Sequence, residues 1–350
     1  MALIQKCDLT YLTDSTASDR ALFSKGPLCW GPNELPLPGQ YKISKDNGFN
    51  LLLINDGGKV RVFNNACTHK GAQLCSNDKG DMGQFIVCPV HKWCFNLDGT
   101  FRSARGFDAC PEKNLEEIET REWNGMLWAN NFDWMEDIDQ LGHYKDFFDL
   151  ADYKHVHTEN RKLDYHWRTF YEIFLDLYHV QAIHPGLRSL VDTKSYDWKF
   201  AKDWSLQIAS LKGQGGDEHY SNLYNIYKQQ NITVDNEPYG SLWLGIYPNI
   251  MLEYYPGCLV ISKIFPEGNG CNQYLDFYMR NDAIDVEGWQ KYQIDGFDAT
   301  SIEDDIAAVQ LEKGRRSLLT AGHNTMNFFN HPVEEAGLEH WLNWMKVQGK

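Results

Sequence analysis

The chain has 350 residues, of which 43% are hydrophobic, and its 48 Asp and Glu residues outnumber 33 Lys and Arg residues to give a net charge of −15. This length is long for a single hydrophobic core, so we expect two domains. The negative charge argues against nucleic acids and anionic membranes as partners, but it allows a basic docking protein such as an electron donor.

Targeting signals are not evident in the sequence. Residues 1–10 lack the charged-then-apolar pattern of a signal peptide, and no run of 18 apolar residues predicts a membrane-spanning helix. The nine cysteines are therefore expected to be reduced thiols or metal ligands and not a disulfide framework. We predict a cytoplasmic protein with no membrane partner.

The first part of the chain has the pattern of a small antiparallel β domain. Residues 1–24 are polar and compatible with helix, and the β domain is expected over residues 25–135. Its strongest turn signal is Asn55-Asp56-Gly57-Gly58, which separates two apolar runs. Strands are predicted near residues 41–43, 51–54, 60–63, 85–87 and 123–129, and a strand–turn–strand over residues 95–101.

The second domain is predicted over residues 136–350. Residues 132–160 are acidic and aromatic and are interpreted as an irregular linker. Apolar residues at helical spacing predict a helix over 167–183, and alternation predicts two strands within 241–264, broken near Pro256-Gly257, and another over 274–280. Helices are expected over 302–319 and 333–347, which makes this half of the chain an α+β domain.

The β domain contains two short Cys/His motifs. Cys67-Thr68-His69 is followed after 18 residues by Cys88-Pro89-Val90-His91, so that each loop offers one thiolate and one imidazole. This set predicts a [2Fe–2S] cluster with two Cys on one iron and two His on the other. A zinc site would use the same residue types, but zinc fingers usually pair Cys with Cys and His with His.

At these residues the sequence resembles the Rieske iron–sulfur family. The resemblance implies that Cys67 and Cys88 bind one iron, and that His69 and His91 bind the other. It also implies an all-β Rieske [2Fe–2S] domain over residues 25–135.

The neighbouring positions distinguish two branches of that family. Respiratory members carry one extra Cys in each loop, and these form a disulfide, whereas the matching positions here hold Ala72 and Val90. Trp93 follows the second loop, as it does in ring-hydroxylating oxygenases. Lys92 departs from the Gly that is usual in that branch, so we expect a different backbone there.

The second domain contains the run Asp176-Leu177-Tyr178-His179-Val180-Gln181-Ala182-Ile183-His184. Asp176 and His179 are expected on one helix face, with His184 at the helix end before Pro185. Two imidazoles with one carboxylate form the facial set of non-haem Fe(II) sites that activate O2. Asp-x2-His-x4-His resembles the motif of Rieske non-haem iron oxygenases, closest to the homomeric alpha subunit of ring-hydroxylating dioxygenases.

That resemblance, which covers about residues 28–319, implies a role for each residue of the motif. His179 and His184 would bind a mononuclear iron, and Asp176 would connect His179 to the cluster ligand His91 of a neighbouring subunit. The carboxylate ligand is expected in the run Glu303-Asp304-Asp305. Counting ten residues back from Gly314 favours Asp304, and Asp305 stays open as the alternative.

The resemblance further implies a helix-grip (START-like) catalytic domain and the function of a terminal oxygenase. A ferredoxin or flavin reductase, itself using NAD(P)H, would supply electrons, and the chain would form a homotrimer or a dimer of trimers. The reaction would hydroxylate, dihydroxylate or oxidatively demethylate a small aromatic or hydrophobic substrate with O2, as in aromatic hydrocarbon catabolism.

The substrate pocket is expected to be lined by apolar and aromatic side chains of the second domain. The candidates are Phe170, Phe174, Trp243, Ile246, Tyr247 and Met251. The alternative function is a Rieske-type electron-transfer protein without its own oxygenase chemistry, and a zinc-stabilised binding protein is a further alternative.

Overall fold

The computed structural model describes residues 3–13, 17–107, 113–212, 218–229 and 239–348. The chain divides into two units, and the one formed by residues 24–132 is called the β unit. The other, formed by residues 1–23 and 133–350, is called the α+β unit. In sequence, the β unit is therefore inserted into the α+β unit.

The N-terminal residues belong to the α+β unit. They form β1 (Leu3–Asp8), α1 (Leu9–Thr13) and α2 (Ala17–Lys25). Leu12 and Phe23 are buried in the same hydrophobic cluster as Trp167, so this segment contributes to the core of the second domain.

The β unit consists of short strands in three antiparallel sheets. The strand orders are β10-β5-β4-β3-β6, β11-β12-β2 and β7-β8-β9. The elements are β2 (Leu28–Trp30), a 3-10 turn (Pro32–Glu34), β3 (Gln40–Ser44), a 3-10 turn (Asp46–Gly48), β4 (Leu51–Asp56), β5 (Lys59–Asn64), β6 (Lys79–Asp81), β7 (Ile86–Val87), β8 (Cys94–Phe95), β9 (Phe101–Ser103), β10 (Glu117–Ile118), β11 (Thr120–Trp123) and β12 (Met126–Ala129).

Two hairpins of this unit have the turns that their sequences require. Gly57 and Gly58 join β4 to β5 with φ angles of 63° and 106°. Asn124 and Gly125 join β11 to β12 with φ angles of 51° and 76°. Two-residue hairpin turns with positive φ match the twist of the strands, and Gly and Asn adopt this conformation most readily. The predicted hairpin at residues 55–58 is confirmed.

The α+β unit continues after the β unit. Its elements are α3 (Asp133–Glu136), a kinked 3-10 segment (Ile138–Phe148), β13 (Tyr153–Leu163), α4 (Trp167–Phe174), α5 (Val180–Ile183), α6 (Leu187–Leu190), β14 (Val191–Phe200), β15 (Trp204–Leu211), α7 (Glu218–Gln229), β16 (Tyr239–Ile246), β17 (Ile250–Tyr255), β18 (Cys258–Glu267), β19 (Gly270–Arg280), α8 (Trp289–Thr320), β20 (Thr325–Asn330) and α9 (Ala336–Gln348).

A seven-stranded antiparallel sheet, in the order β13-β19-β18-β17-β16-β15-β14, forms the centre of this unit. The 32-residue α8 packs on one face, where the Phe297 ring lies 5.2 Å from the Phe277 ring. On the same face, α4 and α9 meet through Tyr171 and Trp341, whose rings stack at 5.5 Å. The predicted combination of an all-β domain and an α+β domain is confirmed. Among the described residues, none of the helices has both the length and the apolar character needed to cross a membrane.

Two predictions about this unit are wrong in part. Residues 153–160 belong to β13 and not to a linker, because an edge strand with one solvated face needs no apolar run and so resembles a loop in sequence. The long helix α8 begins at Trp289 and not near residue 302. Its buried face in the first turns includes Gln293 and Gly296, which do not contribute to an apolar periodicity.

The strand prediction over residues 241–264 missed one break. The chain turns at Pro256-Gly257 as expected, but it also turns between β16 and β17, where Tyr247-Pro248 is a cis peptide bond. Proline has no N–H to donate to a neighbouring strand, so the ladder ends there. The region therefore contains three strands and not two.

Candidate active site

The two loops with the Cys/His motifs repeat one backbone pattern. In each loop, the N–H of the Cys donates to the carbonyl five residues later, at 2.8 Å for Cys67 and 2.8 Å for Cys88. In each loop, the carbonyl of the Cys accepts from the N–H four residues later, at 2.8 Å and 3.1 Å respectively. The two loops thus share one turn geometry with Cys at the same position in each, while the His lies two residues after Cys67 and three residues after Cys88.

The fourth position after each Cys has a left-handed backbone. Gly71 occupies it in the first loop with φ 73°, and Lys92 occupies it in the second with φ 60°. This conformation costs a residue with a Cβ about 1–2 kcal/mol. Lys92 therefore adopts the left-handed backbone that Gly71 has in the first loop.

The thiols of Cys67 and Cys88 are buried and close enough for each to influence the pKa of the other. Burial raises the pKa of the Cys67 thiol. At Cys88 the backbone N–H groups of His91 and Val90 outweigh burial and lower the thiol pKa. Backbone N–H groups directed at sulfur stabilise a thiolate, which is the form that binds a metal.

The two imidazoles of these loops are nearer the surface. The rings of His69 and His91 lie 4.7 Å apart at 80° to each other, and His69 stacks on Trp93 at 4.6 Å. The Nδ1 atom of His69 is buried and has no hydrogen-bond partner within the described ranges, whereas His91 is exposed. Two buried thiols and two converging imidazoles, one with an unused ring nitrogen, fit a Rieske cluster.

Asp176 interrupts the helix predicted over residues 167–183. Its Oδ1 accepts hydrogen bonds from the backbone N–H groups of Tyr178 (2.7 Å) and His179 (3.2 Å). Such bonds replace helical ones, so α4 ends at Phe174 and the continuous helix is wrong. As a result, His179 precedes the single turn α5 and His184 follows it.

Asp304 of α8 meets both of these imidazoles. Its Oδ1 lies 3.2 Å from His179 Nε2 and 2.9 Å from His184 Nε2, and the two Nε2 atoms are 3.0 Å apart. Metal–ligand bonds of about 2.1 Å at right angles would separate neighbouring donor atoms by about 3.0 Å. Among the described residues, the three side chains form a group that could hold one metal ion.

The outer nitrogens of the imidazoles have acidic partners. Asp176 Oδ2 lies 3.4 Å from His179 Nδ1, and Glu303 Oε2 lies 2.7 Å from His184 Nδ1. Burial lowers the pKa of His179, but the hydrogen bonds with Asp176 and Asp304 outweigh it and raise the pKa to about 10. Burial would raise the pKa of Asp304, but its bonds to the two imidazoles lower it to about 2. The negative charge of these carboxylates, which stabilises a proton on the imidazoles, would also stabilise a divalent cation between them.

The neighbouring acids of α8 have different partners. Asp305 accepts hydrogen bonds from Tyr165 Oη (2.6 Å) and from the guanidinium of Arg161. Glu303 contacts the outer nitrogen of His184 and not its Nε2. The structure therefore brings Asp304, and neither neighbour, to the inner nitrogens of both imidazoles.

A cavity of about 110 Å³ opens beside these three side chains. Of the predicted lining residues, Phe170, Phe174 and Trp243 border it. The prediction is wrong for Ile246, Tyr247 and Met251, which are buried in the core. Tyr247 and Met251 belong to the same buried cluster as residues of α4 and α9.

Sequence reasoning missed the polar part of the cavity wall, which includes Glu253, Tyr255 and Gln293. A signal for Glu253 was available, because it is the charged residue in the otherwise apolar and aromatic strand β17. Glu303 was noticed in the acidic run, but its contact with His184 depends on the rotation of α8 and could not be derived from spacing.

Two family models match this chain. Residues 29–116 match the Rieske [2Fe-2S] domain, and residues 150–348 match the ring hydroxylating alpha subunit (catalytic domain). Together these matches cover both predicted sites.

Individual proteins resemble the chain over nearly its whole length. A putrescine 2-hydroxylase of Ralstonia nicotianae is 31% identical, over 93% of this chain and 89% of its own. The carnitine monooxygenase oxygenase subunit of Acinetobacter baumannii is 25% identical, over 93% and 88%. A crystal structure of the quaternary ammonium Rieske monooxygenase CntA aligns with a TM-score of 0.75 at 20% identity, over 97% of this chain and 94% of its own.

Proposed function

This chain belongs to the Rieske non-haem iron oxygenases, as an alpha subunit with a Rieske [2Fe–2S] cluster and a mononuclear iron. From that premise, we propose that it hydroxylates a small aliphatic amine. The observation that carries the oxygenase chemistry is the meeting of His179, His184 and Asp304 beside a cavity. The earlier expectation of an aromatic substrate becomes the alternative outcome of the test.

We assign the mononuclear iron to His179, His184 and Asp304, and the cluster to Cys67, Cys88, His69 and His91. Two imidazoles and one carboxylate on one side of an ion leave its other positions open. When bound, the iron supplies the centre at which O2 is activated, and the cluster supplies the electrons that this requires.

The surrounding side chains orient the proposed ligands. Asp176 Oδ2 lies 3.4 Å from His179 Nδ1, and Glu303 Oε2 accepts the Nδ1 proton of His184, so both acids favour the tautomer whose Nε2 lone pair is free to bind iron. Partners of this kind fix the tautomer and the ring orientation of a ligating His. The ligand set is thus positioned before an ion arrives.

Electrons are expected from a ferredoxin or flavin reductase that uses NAD(P)H. His91 is exposed, so an electron donor, or another subunit that accepts electrons, could contact it directly. We expect His91 of one subunit to face Asp176 of the next in a head-to-tail homotrimer or a dimer of trimers. A heterologous contact of this type closes into a ring.

An amine substrate is supported by the chemistry of the relatives and of the cavity. The names of the two relatives specify putrescine and carnitine, which are small molecules that carry a cationic nitrogen. The cavity of about 110 Å³ is smaller than the roughly 300–1,000 Å³ of sites for drug-sized ligands. It combines apolar walls such as Phe174 and Leu223 with the carboxyl of Glu253.

The test is a substrate screen with the iron-loaded enzyme, NADH and a surrogate reductase. Putrescine, n-butylamine, L-carnitine and indole are incubated under 18O2, and the products are analysed by mass spectrometry. We expect one 18O atom in a product of putrescine or butylamine. Product from indole alone would refute the amine assignment while leaving the oxygenase reading intact.

A control separates the oxygenase from an electron carrier. A chain with both the cluster and the mononuclear site binds about three irons, two in the cluster and one outside it. His179→Ala should lower this to about two and abolish product formation, while the visible spectrum of the cluster is retained. Turnover in His179→Ala, or two irons in the fully loaded wild type, would favour the electron-transfer alternative.

A further inference from the structure

Glu253 places a buried carboxyl in the wall of the cavity. It lies on β17 with 5% of its surface exposed, between residues that are apolar or aromatic. Across the sheet it pairs with Trp243 on β16, so both side chains are on the face covered by α8. Its Oε2 accepts a hydrogen bond from Tyr255 Oη at 2.9 Å.

No cation of the described chain neutralises this carboxyl. Its hydrogen-bond partner is a phenol, which in turn accepts a hydrogen bond from Trp243 Nε1 at 2.9 Å. Among the described residues that line the cavity, Arg161 is the one Lys or Arg residue, and its guanidinium pairs with Asp305. Burying a carboxylate without a paired cation costs free energy, so such a group is either protonated or has a function that offsets the cost.

The other carboxyls of the cavity are accounted for by their contacts. Asp176 accepts backbone N–H groups, Asp304 meets the two imidazoles, and Asp305 is bound by Tyr165 and Arg161. Glu253 differs because its second oxygen, Oε1, accepts no hydrogen bond from the residues that the structure describes. It is the carboxyl left to interact with a molecule in the cavity.

Aromatic rings surround the same position. The rings of Trp243 and Tyr255 lie 6.3 Å apart at 71°, and those of Tyr255 and Phe297 lie 6.4 Å apart at 90°. All three residues line the cavity. Aromatic faces attract an ammonium group within about 6 Å of the ring centre, most strongly where water is excluded.

The electrostatics of the free site agree with this geometry. Burial raises the pKa of Glu253 to about 8, against the hydrogen bond from Tyr255, and the negative charge of Asp304 adds to the increase. Glu253 lines the same cavity as His179, His184 and Asp304, which is why the charge of Asp304 reaches it. A cation bound in that cavity would favour the charged carboxylate and so lower the pKa of Glu253.

We propose that Glu253 binds the ammonium group of an N–H-bearing aliphatic amine and thereby directs its carbon chain toward His179, His184 and Asp304. Oε1 accepts the N–H hydrogen bond, and the three aromatic rings enclose the remaining surface of the ammonium group. This inference rests on the proposed amine hydroxylation and adds the specificity residue. Because a carboxylate oxygen can accept a hydrogen bond from a primary ammonium and not from a quaternary one, the site should prefer the former.

The test measures binding to the iron-loaded enzyme under argon, by titration calorimetry, with n-butylamine and its neutral analogue 1-butanol. Glu253→Gln keeps the shape of the side chain and removes the charge. We expect it to weaken butylamine binding by about 10- to 100-fold and to change butanol binding by less than about 2-fold, as for loss of one charged hydrogen bond. Glu267→Gln, at the exposed end of β18, removes the same charge far from the cavity wall and should change neither affinity.

A second variant keeps the proposal testable if Glu253→Gln does not fold. Glu253→Asp retains the charge but withdraws it by one methylene, so it should still prefer butylamine over butanol and should shift the position of 18O incorporation along the chain. Unchanged butylamine affinity in Glu253→Gln, or an unchanged product in Glu253→Asp, would overturn the proposal. A wild-type enzyme that neither binds nor oxidises amines would instead refute the proposed function itself.

Discussion

Replacing Arg315 by Met should destabilise the α+β unit by about 3–5 kcal/mol, because it leaves the buried carboxylate of Glu172 without its cation. Glu172 of α4 and Arg315 of α8 form an ion pair in which the two side chains are 4% and 7% exposed. Arg315 also donates to Thr169 of α4 at 3.4 Å. The pair thus connects the helix that precedes the His179 segment with the helix that carries Asp304.

The pH dependence of this loss has a definite sign. Burial raises the pKa of Glu172, and Arg315 opposes the increase. Without Arg315 the folded-state pKa rises further above that of the unfolded chain. A carboxyl with a raised folded pKa holds its proton better when folded, so stability falls as pH increases from the unfolded pKa through the folded pKa. The deficit of Arg315→Met should therefore be smaller at pH 5.5 than at pH 8.

Urea unfolding followed by tryptophan fluorescence measures the deficit, and iron content reports whether the proposed ligands stay aligned. Lys313→Met, at an exposed position of the same helix, is the matched control and should stay within about 0.5 kcal/mol of the wild type. The double variant Glu172→Gln/Arg315→Met should recover at least about 2 kcal/mol relative to the sum of the single variants. Additive losses, or an equal deficit at both pH values, would refute the account.

Three smaller changes test other features. Lys92→Gly should stabilise the β unit by about 0.5–1 kcal/mol, since glycine adopts the left-handed backbone freely; a lower urea midpoint of the cluster absorbance would contradict this. Gly257→Ala should cost about 2–4 kcal/mol, because its Cβ would overlap the Trp289 ring at a φ of 75°, and a wild-type melting temperature would disprove the clash. Asp176→Asn should keep near-normal iron but slow product formation at least about tenfold, as it offers His179 Nδ1 a poorer acceptor, so unchanged turnover would reject the positioning role.

The features that could be predicted from the sequence are those determined by neighbouring residues. The hairpin at Gly57-Gly58 follows from the positive φ angles that its turn requires. The two Cys/His loops are equally local, since each places its ligands within four residues. The family resemblance then connected the loops to the run from Asp176 to His184, and the family models agree with that identification.

The features that the sequence did not indicate depend on contacts between distant elements. Successive residues of a helix point about 100° apart, so the rotation of α8 decides which of Glu303, Asp304 and Asp305 meets the imidazoles. The preference for Asp304 came from the family spacing to Gly314, and the contact of Glu303 with His184 was not predicted. The side chain of Asp176 broke a helix whose apolar periodicity was good. Glu253 was not predicted because its place in the cavity wall depends on its partner across the sheet, Trp243, and not on its neighbours along the chain.

The pairing of β1 with β20 has a consequence for how the protein is made. Leu3 is opposite Asn330, so the two-stranded sheet joins segments more than 300 residues apart. A ribosome releases the β unit, residues 24–132, long before β20 has been synthesised. The β unit can therefore fold early, while β1 waits unpaired until β20 has been synthesised. A chain that ends between β19 and β20 should leave β1 without its partner. An unpaired strand can pair with other chains, so aggregation is most expected before β20 has been synthesised.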